Sequence, residues 1–467
     1  MLKSRLKKNL TDLLSKAGEW RHRHIPDGVF IFIVAFFIGA LAGFASFVLK
    51  ELIGFVTEIA VGPTRIDSAN YRLLFLPLVG LLLTTVYSRY IAKSDMTHGT
   101  ERLIADVKNG TFNLSGKLIY SPVIGCSLTL GTGGSAGAEG PIAYSGAAIG
   151  SSIGRLFGLP PRFLMILFGC GAGAAIAGIY KAPLGGVLYT LEVLKLELST
   201  LSVIALMMTC LVAAMVSFSL SSYVPDVSFT QGVLFKPEIL PVVLVLGVFL
   251  GFYSLYYFNT MRWAGKVLGR LRSVWLRCMA AGAVLAILVF LYPTLYGEGF
   301  GSMIKVLEGN TKSIAEASWL YGLDKDPVSL LMLFGGLLLT KALAVGVTNY
   351  GGGVSGNFTP ALFAGCMAGM FFALCCNTMF GMHLSPSNFA LMGMAGVMAG
   401  VIRAPLMAIF LTTEITQNLN LLLPITLSAA ISFCIVKLFS HRPFFQSQYI
   451  EQNLKEPFDE TKGNKQA

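Results

Sequence analysis

Apolar runs recur from Val29 to Phe439 with no polar domain between them, and this decides what the chain can become. The run over 29–49 is long enough to cross a hydrocarbon core, which takes about 20 helical residues. Further runs of similar length fall at 73–91, 200–221, 238–258, 274–291, 329–347 and 421–439. Only 13% of the 467 residues are charged, and the mean hydropathy is +0.69. Inside lipid every backbone N–H and C=O must find its partner within the protein, so runs of this length must be helices. The expectation is an all-α polytopic membrane protein.

The net charge of +11 is concentrated at the start, in Lys3, Arg5, Lys7, Lys8, Lys16, Arg21 and Arg23. Basic flanks stay on the cytoplasmic side, so the N-terminus is placed in the cytoplasm. Residues 1–24 alternate Lys or Arg with Leu at helical period, as in an amphipathic helix on the inner leaflet. They do not read as a cleavable signal peptide. No nucleic-acid module accompanies the basic residues. The eight cysteines contain no CxxC pair and sit in apolar segments, where they act as small hydrophobes. No metal or cofactor site is expected.

From 94 to 197, and again from 351 to 416, the apolar pieces are cut by Gly and Pro. We read them as broken, re-entrant helices, which are tolerated at membrane depth only where they line a cavity or pack inside protein. The two regions also resemble each other. Lys181-Ala-Pro-Leu, closed by Glu192, matches Arg403-Ala-Pro-Leu, closed by Glu414. Gly137-Ala-Glu-Gly-Pro141 matches Gly356-Asn-Phe-Thr-Pro360. Both pairs share an offset of about 220 residues, the mark of a transporter built from two halves around a central site. The halves are set at 25–222 and 223–440, with a short tail at 441–467. The residues alone leave open whether the halves are parallel or inverted. The segment 297–327 reads as an extramembrane connection.

The loop Gly134-Ser-Ala-Gly-Ala-Glu-Gly-Pro-Ile142 places one carboxylate, Glu139, in an apolar setting. An ionisable group at membrane depth costs roughly 2.5–3.5 kcal/mol on the gentlest insertion scales, so its default reading is functional. The glycines let N–H groups turn toward one point, and the helix beginning near Gly140-Pro141 aims its positive end there. The site is suited to an anion, and Glu139 is a resident anion able to compete for it.

These residues resemble the CLC family of chloride channels and proton-coupled chloride transporters. Gly137-Ala-Glu-Gly-Pro141 resembles the family's G-[KR]-E-G-P, with Ala138 in place of the usual basic residue. Gly356-Asn-Phe-Thr-Pro360 matches G-x-F-x-P, and Thr97-His-Gly-Thr-Glu101 sits where G-S-G-I-P is expected, keeping Gly99. The resemblance implies an inverted repeat without CBS domains, a homodimer with one pore per subunit, and a bacterial-type inner membrane. It implies chloride held by helix N-termini and Glu139 as gate and proton carrier. Its anion-binding positions fall on His98, Gly99, Gly137, Gly140, Asn357, Phe358 and Phe445.

Two departures bear on mechanism. The family's inner proton-transferring glutamate aligns with Val193, and Glu192 with its neighbour. The tyrosine that contacts the central anion aligns with Phe445. Valine carries no proton, so a proton route would run through water, and phenylalanine offers no donor. Glu192 and Glu414 read as helix-end caps in preference to transport groups, while Lys181 and Arg403 anchor helix ends. Lys341, inside an apolar run, fits either a structural or a functional part. Two readings follow: a proton-coupled chloride antiporter, or a passive gated channel or uniporter for chloride or fluoride. An embedded enzyme is not expected, because no second carboxylate, His–Ser pair or metal cluster converges on the loop.

Overall fold

The structure is a computed structural model that describes residues 27–62, 71–94, 96–196, 199–221, 237–310, 314 and 327–440. The basic segment 1–24 and the tail with Phe445 lie outside the described residues. Sixteen α-helices and no strands account for the described fold. Eight of the helices are long and apolar enough to cross a membrane.

Of the sixteen helices, the first half holds α1 (Asp27–Val61), α2 (Leu76–Val86), α3 (Gly99–Asn109), α4 (Ser121–Gly131), α5 (Glu139–Leu156), α6 (Pro161–Tyr180), α7 (Pro183–Leu188) and α8 (Thr200–Leu220). The second half holds α9 (Leu240–Gly269), α10 (Val274–Leu291), α11 (Phe300–Leu307), α12 (Pro327–Tyr350), α13 (Phe358–Phe380), α14 (Pro386–Ile402), α15 (Pro405–Thr416) and α16 (Leu422–Phe439). Wide turns of the π type extend α2 over Tyr87–Ala92 and α7 over Tyr189–Val193.

The halves repeat their packing as well as their sequence. Helix α1 lies against α6 and α8, and α9 lies against α14 and α16 in the same way; α5 packs on α6 as α13 packs on α14. The halves then meet through reciprocal contacts. Glu192 accepts the N–H groups of Leu406 and Met407 at 3.3 and 2.7 Å, while Glu414 accepts those of Leu184 and Gly185 at 2.9 and 2.8 Å. Each glutamate thus caps the opposite half's Ala-Pro-Leu helix, where the first N–H groups have no intrahelical acceptor. A contact made once in each direction defines a two-fold relation, and the repeat is inverted.

The broken, re-entrant reading of these two regions holds, but the breaks do not fall at every glycine. Helices α5, α6 and α13 run for 18, 20 and 23 residues. Their glycines do not end them. They let two backbones approach, as small residues do between membrane helices. A Cβ on Gly171 would strike the Gly146 carbonyl, and one on Gly146 would strike that of Gly171. Gly365 and Gly393 form the same close pair in the second half. Besides the loops before α5 and α13, interruptions fall at Lys181 and Arg403, both in the left-handed region (φ 54° and 62°), each followed by Ala-Pro. Arg403 anchors its turn by donating to the backbone and side-chain oxygens of Ser440 at 2.8 and 3.0 Å, and the Lys181 ammonium lies over the Phe218 ring.

Close backbone contact at Gly171 predicts that Gly171→Val costs at least about 1–3 kcal/mol, the usual penalty of overpacking. Gly54, in α1 with nothing near its Cβ position, predicts the opposite: Gly54→Ala gains about 0.5–1 kcal/mol of helix propensity. Thermal unfolding in detergent, read on both variants, measures the contrast.

Candidate functional site

The loops that precede α5 and α13 are held as a pair. Gly137 and Gly356 form a two-residue antiparallel bridge, with N–H to C=O distances of 3.0 and 2.6 Å. Two threonines brace it reciprocally. The Thr129 hydroxyl accepts the Val354 N–H at 3.0 Å, and that of Thr348 accepts the Ser135 N–H at 3.2 Å. The loops therefore bring the N-termini of α5 and α13 to one place, where their dipoles add.

Glu139, only 1% exposed, opens α5 and turns its carboxylate into that place. Oε1 accepts the N–H of Phe358, the first residue of α13. Oε2 accepts from the Thr359 hydroxyl at 3.1 Å and from the Tyr180 hydroxyl at 3.5 Å, and those two hydroxyls meet at 2.8 Å. The carboxylate folds back over the bridge. A Cβ on Gly137 or Gly356 would run into its oxygens. Gly99 abuts the Gly140 carbonyl, where a Cβ would come within 2.7 Å, so the third motif closes on the same point.

Of the residues expected at the site, Glu139, Gly99, Gly137, Gly140, Asn357 and Phe358 are brought together. The Asn357 side chain accepts from Asn349 Nδ2 at 2.6 Å. His98 precedes α3 in the left-handed region (φ 58°). Its ring lies 5.4 Å from that of Tyr350, and its Nδ1 is 3.9 Å from a Glu101 oxygen. Glu192 and Glu414 are engaged in the caps described above, and Val193 is buried beside them on the turn that extends α7.

The expectation that no second carboxylate approaches the loop is corrected. Glu298 accepts the Ala138 N–H at 3.2 Å, at the residue immediately before Glu139. The segment around it packs against the rest of the protein: α11 follows at once, and Met303, Val306 and Leu307 are buried in the core. Lys341 is fully buried. Its ammonium donates to Ser135 Oγ at 2.9 Å, lies 4.5 Å from the centre of the Phe363 ring, and is within electrostatic reach of Glu298. A basic side chain thus stands close to the loop in which Ala138 replaces a basic residue. Tyr180 and Glu298 carried no motif signal, because their spacing from Glu139 places them near it only after folding; Thr359 lies within Gly356-Asn-Phe-Thr-Pro360, at the variable position before Pro360.

The fold and this centre define a polytopic membrane protein that holds a negative charge between opposed helix N-termini. A model of the voltage gated chloride channel family matches residues 79–437, and the chain belongs to that family. It is 23% identical over 446 residues to the H(+)/Cl(-) exchange transporter ClcA of Vibrio campbellii, covering 92% of this chain and 91% of that protein. It is 28% identical over 390 residues to chloride channel protein CLC-e of Arabidopsis thaliana, covering 77% of this chain and 51% of that one. Among solved structures, a slow cyanobacterial Cl-/H+ antiporter superposes with a TM-score of 0.76 at 20% identity, over 91% of this chain and 98% of the other. A CLC-type fluoride/proton antiporter superposes with a TM-score of 0.70 at 21% identity, over 89% and 97%.

The bridge geometry generates a prediction. Gly356→Ala pushes a methyl group into the Glu139 carboxylate and the Gly140 N–H, so anion flux in proteoliposomes falls at least tenfold. Gly116→Ala, at a position with open space around it, leaves flux within twofold in the same assay.

Proposed function

We propose that this protein exchanges chloride for protons across a bacterial-type inner membrane, as a homodimer with one path per subunit and its N-terminus in the cytoplasm. One observation carries the reading: the Phe358 N–H and the hydroxyls of Thr359 and Tyr180 all donate to the carboxylate of Glu139. These donors suit chloride equally well. Two unit charges 4 Å apart repel by about 4 kcal/mol at an effective dielectric of 20, so carboxylate and chloride exclude each other from them. Protonation removes the charge from Glu139, releases its donors and admits chloride. Loss of that proton lets the carboxylate return and expel the anion. Anion and proton movement are linked by competition for one set of donors.

His98, Gly99, Gly137, Gly140, Asn357 and Phe358 line or shape this place in the proposal. Glu192 and Glu414 hold the two halves together, and no chemical transformation is assigned to any residue. A passive gated channel or uniporter, for chloride or fluoride, is the second reading. It is favoured by Val193, which cannot hold a proton.

Reversal potentials under crossed chloride and pH gradients separate the two. The antiporter reading expects the reversal potential to move with the pH gradient, and expects Glu139→Gln to abolish proton movement. A wild-type reversal potential indifferent to pH overturns it in favour of the passive path. Comparing fluoride with chloride under the same gradients identifies the preferred anion.

A further inference from the structure

Beside the Glu139 carboxylate lies a second polar group of residues that the described contacts leave unsatisfied. Thr100 and Glu101 sit in the first turn of α3, and Tyr189 opens the wide turn after α7. All three are buried: Tyr189 at 0%, Thr100 at 2% and Glu101 at 3% exposure. Among the described residues, Glu101 Oε1 has no close hydrogen-bond partner, and the Thr100 and Tyr189 hydroxyls have only each other. Buried polar atoms are almost always paired, and an orphan marks a place with a task. The junction thus holds two hydroxyls with no partner beyond each other and one carboxylate oxygen without a donor.

The three are arranged in sequence. Thr100 Oγ1 lies 3.3 Å from the Cβ position of Gly140, the residue after Glu139. The Tyr189 hydroxyl faces that of Thr100, and Tyr189 is within electrostatic reach of both Glu101 and Glu139. The Tyr189 ring packs 5.7 Å from that of Phe358, whose N–H holds the Glu139 carboxylate. On the far side, the partly exposed His98 comes within 3.9 Å of the Glu101 oxygen that has no other partner. The titratable groups facing Glu101 are thus His98 on one side and Tyr189, with Glu139 behind it, on the other.

We propose that Glu101 is a second proton-carrying carboxylate of this chain, joined to Glu139 through the hydroxyls of Thr100 and Tyr189. The inference rests on the antiport reading and gives it a proton path that Val193 cannot provide. A hydroxyl both donates and accepts. Glu101, protonated, gives its proton to this pair. The pair releases one to the Glu139 carboxylate, and both hydroxyls end unchanged. Glu101, left ionised, regains a proton from water on the side where the partly exposed His98 lies. Each cycle moves one proton and leaves no group altered.

The test records chloride efflux and proton uptake in parallel, on the full chain reconstituted in liposomes. Wild type is measured first, because absence of proton uptake there overturns the antiport reading itself and this inference with it. Where wild type couples, Glu101→Gln is expected to lower the protons moved per chloride at least tenfold while chloride still flows. Glu101→Asp restores measurable coupling, and Tyr189→Phe lowers it severalfold. An unchanged ratio in Glu101→Gln overturns this inference and leaves the antiport reading standing. Parallel loss of both fluxes in Glu101→Gln and Glu101→Asp also overturns it, assigning Glu101 to the fold.

Discussion

The Phe358 N–H donating to the Glu139 carboxylate joins two halves of the chain that are 219 residues apart. Nearly every other feature of the centre exists to make that contact possible. A carboxylate buried without donors is among the most costly groups a protein can hold. Here it is offset by an amide at the start of α13, by two hydroxyls, and by the dipoles of both helices. None of these donors is specific to a side chain. They hold any compact negative charge, and for that reason a carboxylate and a free anion can alternate in one place.

Steric demand explains the glycines better than flexibility does. Gly137 and Gly356 lie under the carboxylate, and Gly99 lies against the Gly140 carbonyl. A methyl group at any of the three would separate the motifs that the site requires together. In the helices behind them, Gly146, Gly171, Gly365 and Gly393 play the same part for backbone packing. Reading such glycines as breaks made α5, α6 and α13 look shorter than they are. The strongest cue to an actual interruption was Ala-Pro after a basic residue, and it located both turns.

Much of the centre was legible because its parts sit in contiguous motifs. Glu139 stood out by charge in an apolar run, and Asn357 and Phe358 by the repeat. The caps made by Glu192 and Glu414 were legible in kind, as helix-end groups; that each reaches the start of the other half's Ala-Pro-Leu helix was not, because the sequence sets each at the far end of its own. Tyr180 and Glu298 could not be read, because each is an ordinary residue whose neighbour is fixed only by packing; Thr359 lay inside a motif, but at its variable position. Lys341 was conspicuous, yet its partners, Ser135 and the Phe363 ring, lie in other segments. The Thr100–Glu101–Tyr189 group was hidden for the same reason: two elements far apart in sequence supply it.

The reciprocal glutamate caps bear on how large a motion this molecule can use. With the threonine braces and the glycine bridge, they fasten one half to the other at several separated points. Rocking one half against the other would strip N–H groups at all of them together. The cheaper displacement is rotation of a single acidic side chain about its own torsions, over a distance of ångströms. A protein organised in this way switches by moving a few atoms within a nearly stationary frame, so the speed of its cycle is governed by proton arrival and local charge rather than by domain travel.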